Sequence, residues 1–200
     1  MSNFAKLIKI NGYFAMTEKE KMLAGMVYDA NNDPALIAER LECKELCHDY
    51  NNLRPSASGA RTELMTRILR TQRQDFLIEQ PFYCDYGYNI RIGANFYSNY
   101  NLVVLDEAPV TFGDNVFIAP NCGFYTAGHP LDATERNKGL EYARSITVGN
   151  NVWIGANVCV LPGVTISDNC VIGAGSVVIR DIPADSVAVG NPCEVIKKLK

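Results

Sequence analysis

The chain has 200 residues, enough for one large or two small units with a real core. Hydrophobic residues make up 48% and charged residues 20%, and the net charge is −3, so nothing draws the chain as a whole toward nucleic acid or an anionic membrane surface. No stretch reaches the roughly 18 apolar residues that span a bilayer, and the opening MSNFAKLIKINGYFA has neither a continuous apolar core nor a small-residue cleavage site, so no leader is read and the cytoplasm is the expected compartment.

Residues 1–75 read as a helical segment. Thr17-Glu18-Lys19-Glu20 has the form of a capping box ahead of MLAGMVYDA. Asp33-Pro34 opens a second helix, with aspartate as N-cap and proline in the first turn. Leu36, Ile37, Leu41, Leu46 and Tyr50 predict one buried stripe along it. The turn-rich Asn51–Ser56 ends it, and a third helix over roughly 58–71 carries Leu64, Met65, Ile68 and Leu69. Cys43 and Cys47 lie one turn apart on the second helix, while Cys122, Cys159 and Cys170 fall in apolar strands. Seven cysteines with no CxxC and no metal-ligand spacing predict reduced, buried thiols, with neither a disulfide framework nor a bound metal.

Residues 76–188 have a different rhythm. Val148, Ile154, Val160, Ile166, Ile172 and Val178 recur every sixth residue, each followed by a mostly small residue and, four positions on, by a small or β-branched one. The beat runs earlier through Ile92, Ser98 and Val104, slips by two at Ala108-Pro109, and resumes at Phe112, Ile118 and Phe124. Period six is too long for an amphipathic helix and too regular for a meander. It suits a parallel β-helix whose inward aliphatic residues stack coil on coil, with Gly113-Asp114-Asn115 and Gly149-Asn150-Asn151 supplying turns that tolerate positive φ. Between Phe124 and Val148 the beat is interrupted by an 18-residue insertion, the length of one coil, at about 127–145. That break, FYTAGHPLDATER, holds His129, one of two histidines in the chain. Residues 189–200 leave the beat and read as a short terminal helix capping the last coil. The fold class is therefore mainly β: a parallel β-helix preceded by a small helical segment and closed by a C-terminal helix.

The hexapeptide pattern resembles an acyltransferase superfamily, and longer segments narrow it. KEKMLAGMVYDA, ERLECKELCHDYN, PFYCDYGYNIRIGANFYSNYN, TAGHP with Arg136 downstream, ITVGNNVWIGANVCVLPGVTI, VIGAGSVV and GNPCEVIKKL together resemble the maltose/galactoside O-acetyltransferases over nearly the whole chain. The resemblance implies a left-handed β-helix assembled as a homotrimer, with active sites between subunits, acetyl-CoA as donor and a sugar or related hydroxyl compound as acceptor.

The chemistry needs a base, because a free hydroxyl is a poor nucleophile at neutral pH, and an imidazole suits that task. His129 is the candidate, and direct transfer requires no covalent enzyme intermediate. The resemblance places Asp85, Asn99, Glu107 (beside Asp106) and Asp29 at the acceptor, and Arg136 has two open readings, positioning the loop or contacting the acceptor. It places Asn99, Ala156, Ala174, Ile179, Arg180 and Lys197 (beside Lys198) along acetyl-CoA, with Trp153 near the reacting groups. Glu194 stands where the family has a basic contact. Glu141 has two open readings, a carboxylate that orients His129 or a solvated loop residue, and Trp153 has a packing role as its alternative. The rival functions are a hexapeptide acetyltransferase for a non-sugar acceptor such as an antibiotic, and a non-catalytic β-helix binding protein. A three-histidine zinc site is excluded by the histidine count.

Overall fold

The computed structural model describes residues 16–200 and, before them, only the backbone pairing of Lys9–Ile10 with Tyr13–Phe14. The reading of residues 1–15 as lacking a leader lies outside the described side chains. In helix α1, Glu18–Leu23, both halves of the capping box form: Thr17 Oγ1 accepts from the Glu20 N–H at 3.1 Å, and Glu20 Oε2 accepts from the Thr17 N–H at 2.8 Å. Helix α2, Pro34–Asn51, starts with Asp33 Oδ1 accepting from the Leu36 N–H at 2.8 Å. Helix α3 covers Ser58–Ile68, ending short of residue 71.

The stripe on α2 differs from the expected one. Leu36, Cys43, Cys47 and Tyr50 are buried, whereas Ile37 and Leu41 are 42% and 58% exposed. The cysteines act there as small apolar side chains. Asn51 closes α2 onto the first coil, its side chain donating to the Phe82 carbonyl at 2.9 Å and accepting from the Phe82 N–H at 2.8 Å. Arg61 of α3 pairs with Glu79 at 2.7 Å. The helices thus cover the starting edge of the coil, whose backbone groups would otherwise be open to pairing with another strand.

The coil itself is a three-faced prism of parallel strands. The first face stacks Phe76–Ile78, Phe96–Ser98, Phe117–Ile118, Trp153–Ile154, Val171–Ile172 and Ser186–Val189. The second stacks Phe82–Cys84, Leu102–Leu105, Gly123–Tyr125, Cys159–Val160 and Val177–Val178. The third stacks Ile90–Arg91, Val110–Phe112, Ile146–Val148 and Thr165–Ile166. Inside, the repeat positions form columns: Ile118, Ile154 and Ile172 on one face, Phe124, Val160 and Val178 on the next, and Phe112, Val148 and Ile166 on the third, all nearly inaccessible to solvent.

Turns at the corners need positive φ, and asparagine supplies it. Asn95, Asn115, Asn151 and Asn169 stack at the corner between the third and first faces with φ between 53° and 56°. The Asn95 side-chain amide donates to Asn115 Oδ1 at 3.0 Å and that of Asn115 to Asn151 Oδ1 at 3.1 Å, so a residue chosen for its backbone also builds a polar ladder.

Register shows how the insertion is accommodated. Ile118 pairs directly with Ile154, so the chain leaves the coil and re-enters it one strand spacing above. The excursion contains an antiparallel pair, Ala127–Gly128 with Leu140–Ala143, and the short helix α4, Ala133–Arg136. Tyr28–Asp29 from the N-terminal segment adds a third strand, opposite Leu140 and Glu141.

The C-terminus corrects the sequence reading. Glu194–Lys198 is not a helix but a strand, antiparallel to Ser186–Val189. The last coil offers an open strand edge, and pairing with it satisfies more backbone groups than one exposed helical turn would.

The columns make a quantitative prediction. Ile154→Ala removes a side chain enclosed by coils above and below, and lowers unfolding free energy by about 2–5 kcal/mol. Thr147→Ala, on an exposed position of the third face, changes it by no more than about 0.5 kcal/mol. Chemical denaturation of the two variants checks this, and equal losses would contradict a core made of stacked repeat positions.

Candidate active site

The insertion leaves from the corner between the second and third faces, and His129 follows its first strand. The side chain is exposed. Its Nδ1 lies 2.9 Å from the Leu140 carbonyl on the returning strand. A carbonyl oxygen only accepts, so Nδ1 carries the proton, and the lone pair of the neutral ring sits on Nε2. Glu141, read either as a carboxylate orienting His129 or as a solvated loop residue, accepts from the Tyr28 hydroxyl at 2.9 Å. Arg136 braces the same loop, donating to the Pro130 and Leu131 carbonyls at 3.3 and 3.0 Å.

Asp85 and Glu107 belong to this corner too, one at the end of a second-face strand and the other in the turn after the next. Ile179 and Arg180 follow the last second-face strand at the same corner and are exposed. Asn99, Ala156 and Ala174 lie on a different corner, between the first and second faces. Asn99 Oδ1 accepts from the Tyr100 N–H at 2.8 Å; among the described residues its side-chain N–H groups have no partner. Trp153 points outward from the first face and is 58% exposed. Lys197 is exposed on the final strand, where Lys198 is tied to the Ala184 carbonyl at 2.8 Å and Glu194 opens the strand. Asp29 is engaged locally, its carboxylate accepting from the Asn31 and Asn32 backbone and the Asn32 side chain. The structure therefore gathers His129, Asp85, Glu107 and Arg180 along one edge, and Asn99, Ala156 and Ala174 along another.

Comparison with known proteins places this architecture. Residues 21–71 match the family model described as the maltose acetyltransferase hexapeptide capping motif, and residues 145–180 match that of the bacterial transferase hexapeptide, six repeats. A galactoside O-acetyltransferase of Escherichia coli K12 is 44% identical over 184 residues, covering 92% of this chain and 90% of its own length. Among solved structures, a maltose O-acetyltransferase from Clostridium difficile 630 matches with a TM-score of 0.91 at 50% identity, over 93% of this chain and 99% of its own. A galactoside acetyltransferase in complex with coenzyme A matches with a TM-score of 0.89 at 44% identity, over 93% and 92%. The chain belongs to the maltose/galactoside O-acetyltransferase family. It is a hexapeptide-repeat acetyltransferase, and its coil is the left-handed parallel β-helix.

Within this acetyltransferase the two neighbouring acids separate cleanly. Asp106 is fully buried, accepting from the backbone N–H groups of Tyr86 at 2.8 Å, Asp85 at 3.1 Å and Asn89 at 3.3 Å. Burial raises its pKa to about 6 despite those donors. Glu107 turns to the other side, where it accepts from Thr126 Oγ1 at 3.2 Å and lies beside Asp85. Burial first, and then Asp85, push Glu107 well above the usual carboxylate range. The raised pKa favours a proton on Glu107, next to Asp85.

Arg40 escaped the sequence reading. It donates to the Tyr86 hydroxyl at 2.8 Å and to the Ala30 carbonyl at 2.6 Å, with Asp85 and Glu141 near enough to act on its charge. A signal was present: Arg40 stands four residues after Leu36 on the buried stripe of α2, where an arginine needs a reason. Tyr28 and Tyr86 were equally silent in sequence, because their partners come from distant segments.

Proton linkage gives a test. A raised pKa means that the folded state holds a proton which the unfolded chain has lost, so the stability contributed is full below the ordinary value of 4.5 and is lost as pH rises toward the raised value. Asp106 acts in the same sense only up to about 6. Between roughly pH 6.5 and 8.5 wild-type melting temperature therefore falls relative to Glu107→Gln, which keeps the shape but does not titrate. Parallel melting curves across that window would contradict a protonated Glu107.

Proposed function

We propose that this protein transfers the acetyl group of acetyl-CoA to a hydroxyl of a sugar of the maltose, glucose or galactoside type, with His129 as general base in direct transfer. The observation that carries this reading is the bond from His129 Nδ1 to the Leu140 carbonyl, which directs a proton-accepting Nε2 outward from an exposed loop. The named acceptors of relatives and their complexes with coenzyme A or acetyl-CoA support the substrate pair.

In this mechanism Nε2 takes the hydroxyl proton as the acceptor oxygen attacks the thioester carbonyl. The tetrahedral intermediate collapses, the C–S bond breaks, and the imidazolium returns the proton to the coenzyme A thiolate. Base catalysis of this kind contributes about 10²–10⁴-fold. Asn99, with its side-chain N–H groups uncommitted, donates to the developing oxyanion. Asp85 and Glu107, side by side at this corner, bind neighbouring acceptor hydroxyls. Arg180 and Lys197 meet coenzyme A phosphates, Ala156 and Ala174 leave room for its arm along the corner, and Ile179 and Trp153 wall it in. Asp29 and Arg136 act at one remove, shaping the strand and loop beside His129.

One chain cannot assemble this set, because a whole face separates the Asn99 corner from the His129 corner. A homotrimer, with each site formed between subunits, closes the gap. The outward columns favour such packing. The first face presents Leu77, Tyr97, Phe117, Trp153, Val171 and Val187, whereas the third presents Arg91, Thr111, Thr147 and Thr165. An apolar column beside a polar one marks the faces suited to burial in an assembly. All seven cysteines are free, which fits a reducing cytoplasm, and no helix among the described residues is long and apolar enough to cross a membrane.

Free-thiol release from acetyl-CoA, measured with glucose, maltose, galactosides and non-sugar alcohols, tests the reading. A sugar class supports release in the wild type, and His129→Ala lowers it by about 10²–10⁴-fold. Release confined to non-sugar acceptors would overturn the substrate class, and undiminished release by folded His129→Ala would remove the base.

A further inference from the structure

Three sulfurs meet away from the His129 loop. Cys43 and Cys47 project from successive turns of α2, and the first second-face strand ends with Cys84 beneath them. Cys84 Sγ lies 3.5 Å from Cys43 Sγ and 3.8 Å from Cys47 Sγ, and all three sulfurs fall within 4.8 Å of one another. These separations are far beyond a disulfide bond, and all three thiols are free. They match a different requirement. An ion holding sulfur at about 2.3 Å sets ligand atoms roughly 3.8 Å apart in a tetrahedron and about 4.0 Å apart in a trigonal plane.

The site has a route in. A cavity of about 940 Å³ opens between α2 and the second face, and Cys47 and Cys84 line it together with Lys44, His48 and Asp85. Three buried sulfurs backed by apolar core, with one side toward an open cavity, offer three ligands and one position for solvent. Soft thiolates select zinc and monovalent copper over harder ions.

We propose that Cys43, Cys47 and Cys84 bind one thiophilic metal ion per chain, Zn²⁺ or Cu⁺, through their thiolates, with the open coordination position facing this cavity. Each ligating thiol gives up its proton to solvent as the metal–sulfur bond forms. The bound ion clamps α2 to the first coil at the residue immediately before Asp85. Sequence spacing conceals the site because Cys84 lies 37 residues beyond Cys47 and on a different element.

The test uses the reduced, chelator-treated full chain. Titration with Co²⁺ produces a thiolate charge-transfer band that saturates at one ion per chain and is displaced by Zn²⁺; Cu⁺ is tested separately by competition with bicinchoninate. Cys47→Ser and Cys84→Ser each weaken binding by at least about 100-fold, whereas Cys122→Ser, outside the cluster, leaves it unchanged. Should a core variant fail to fold, alkylation of the wild type decides: bound ion protects Cys43, Cys47 and Cys84 and no other thiols. Absence of both the Co²⁺ band and Cu⁺ competition in folded wild type would overturn the proposal. So would binding that persists in folded Cys84→Ser, or protection that maps to other cysteines.

Discussion

Each coil of the prism buries its aliphatic residues chiefly against the coils above and below, and every other feature depends on that stacking. A hexapeptide strand has two or three paired residues and would not hold alone. Repeated in register, it aligns Ile118, Ile154 and Ile172 into one column and equivalent residues into two more. The corners then become straight edges, so residues far apart in sequence stand one above another. Asp85 and Glu107 approach because one coil separates them, not because any local motif joins them.

The same constraint explains the insertion. The excursion leaves the coil after one second-face strand and returns at the next third-face strand without disturbing the columns. The chain can therefore carry a long loop at the cost of loop closure alone, which grows slowly with length. Tyr28–Asp29 then pairs with the returning strand, and the Tyr28 hydroxyl binds Glu141. The N-terminal segment thus does two things: it covers the first coil and it stiffens the loop that presents His129. The imidazole tautomer is set by a main-chain carbonyl, so it does not depend on the ionisation of a neighbouring acid.

Much of this was legible in the sequence, for identifiable reasons. The hexapeptide beat reports inward positions directly, and the capping box at Thr17 and the Asp33-Pro34 start are local devices that need no tertiary partner. Features set by partners were not legible. The C-terminal EVIKK is composed of residues that tolerate a helix, and the vacant edge of the last coil overrode that preference. On α2 the apolar letters pointed to Ile37 and Leu41, while the face that meets the coil carries Arg40 and two cysteines. Sequence separated Asp106 from Glu107 no better: both are buried, and only their folded partners show that one carboxylate is consumed by backbone donors while the other lies beside Asp85. The bond from Leu140 to His129 uses a backbone atom, which leaves no trace in residue identity.

The central claim is that the reacting groups come from two edges contributed by two copies of the chain. Mixing inactive His129→Ala with inactive Asn99→Ala, unfolding and reassembling them together, tests it without knowledge of the physiological acceptor beyond one working substrate. In randomly mixed homotrimers with intersubunit sites, about a quarter of the sites combine an intact His129 with an intact Asn99, and a corresponding share of wild-type thiol release returns. If the mixture stays as inactive as its components although mixed assemblies form, the two residues do not act across a subunit boundary, and the intersubunit site is wrong.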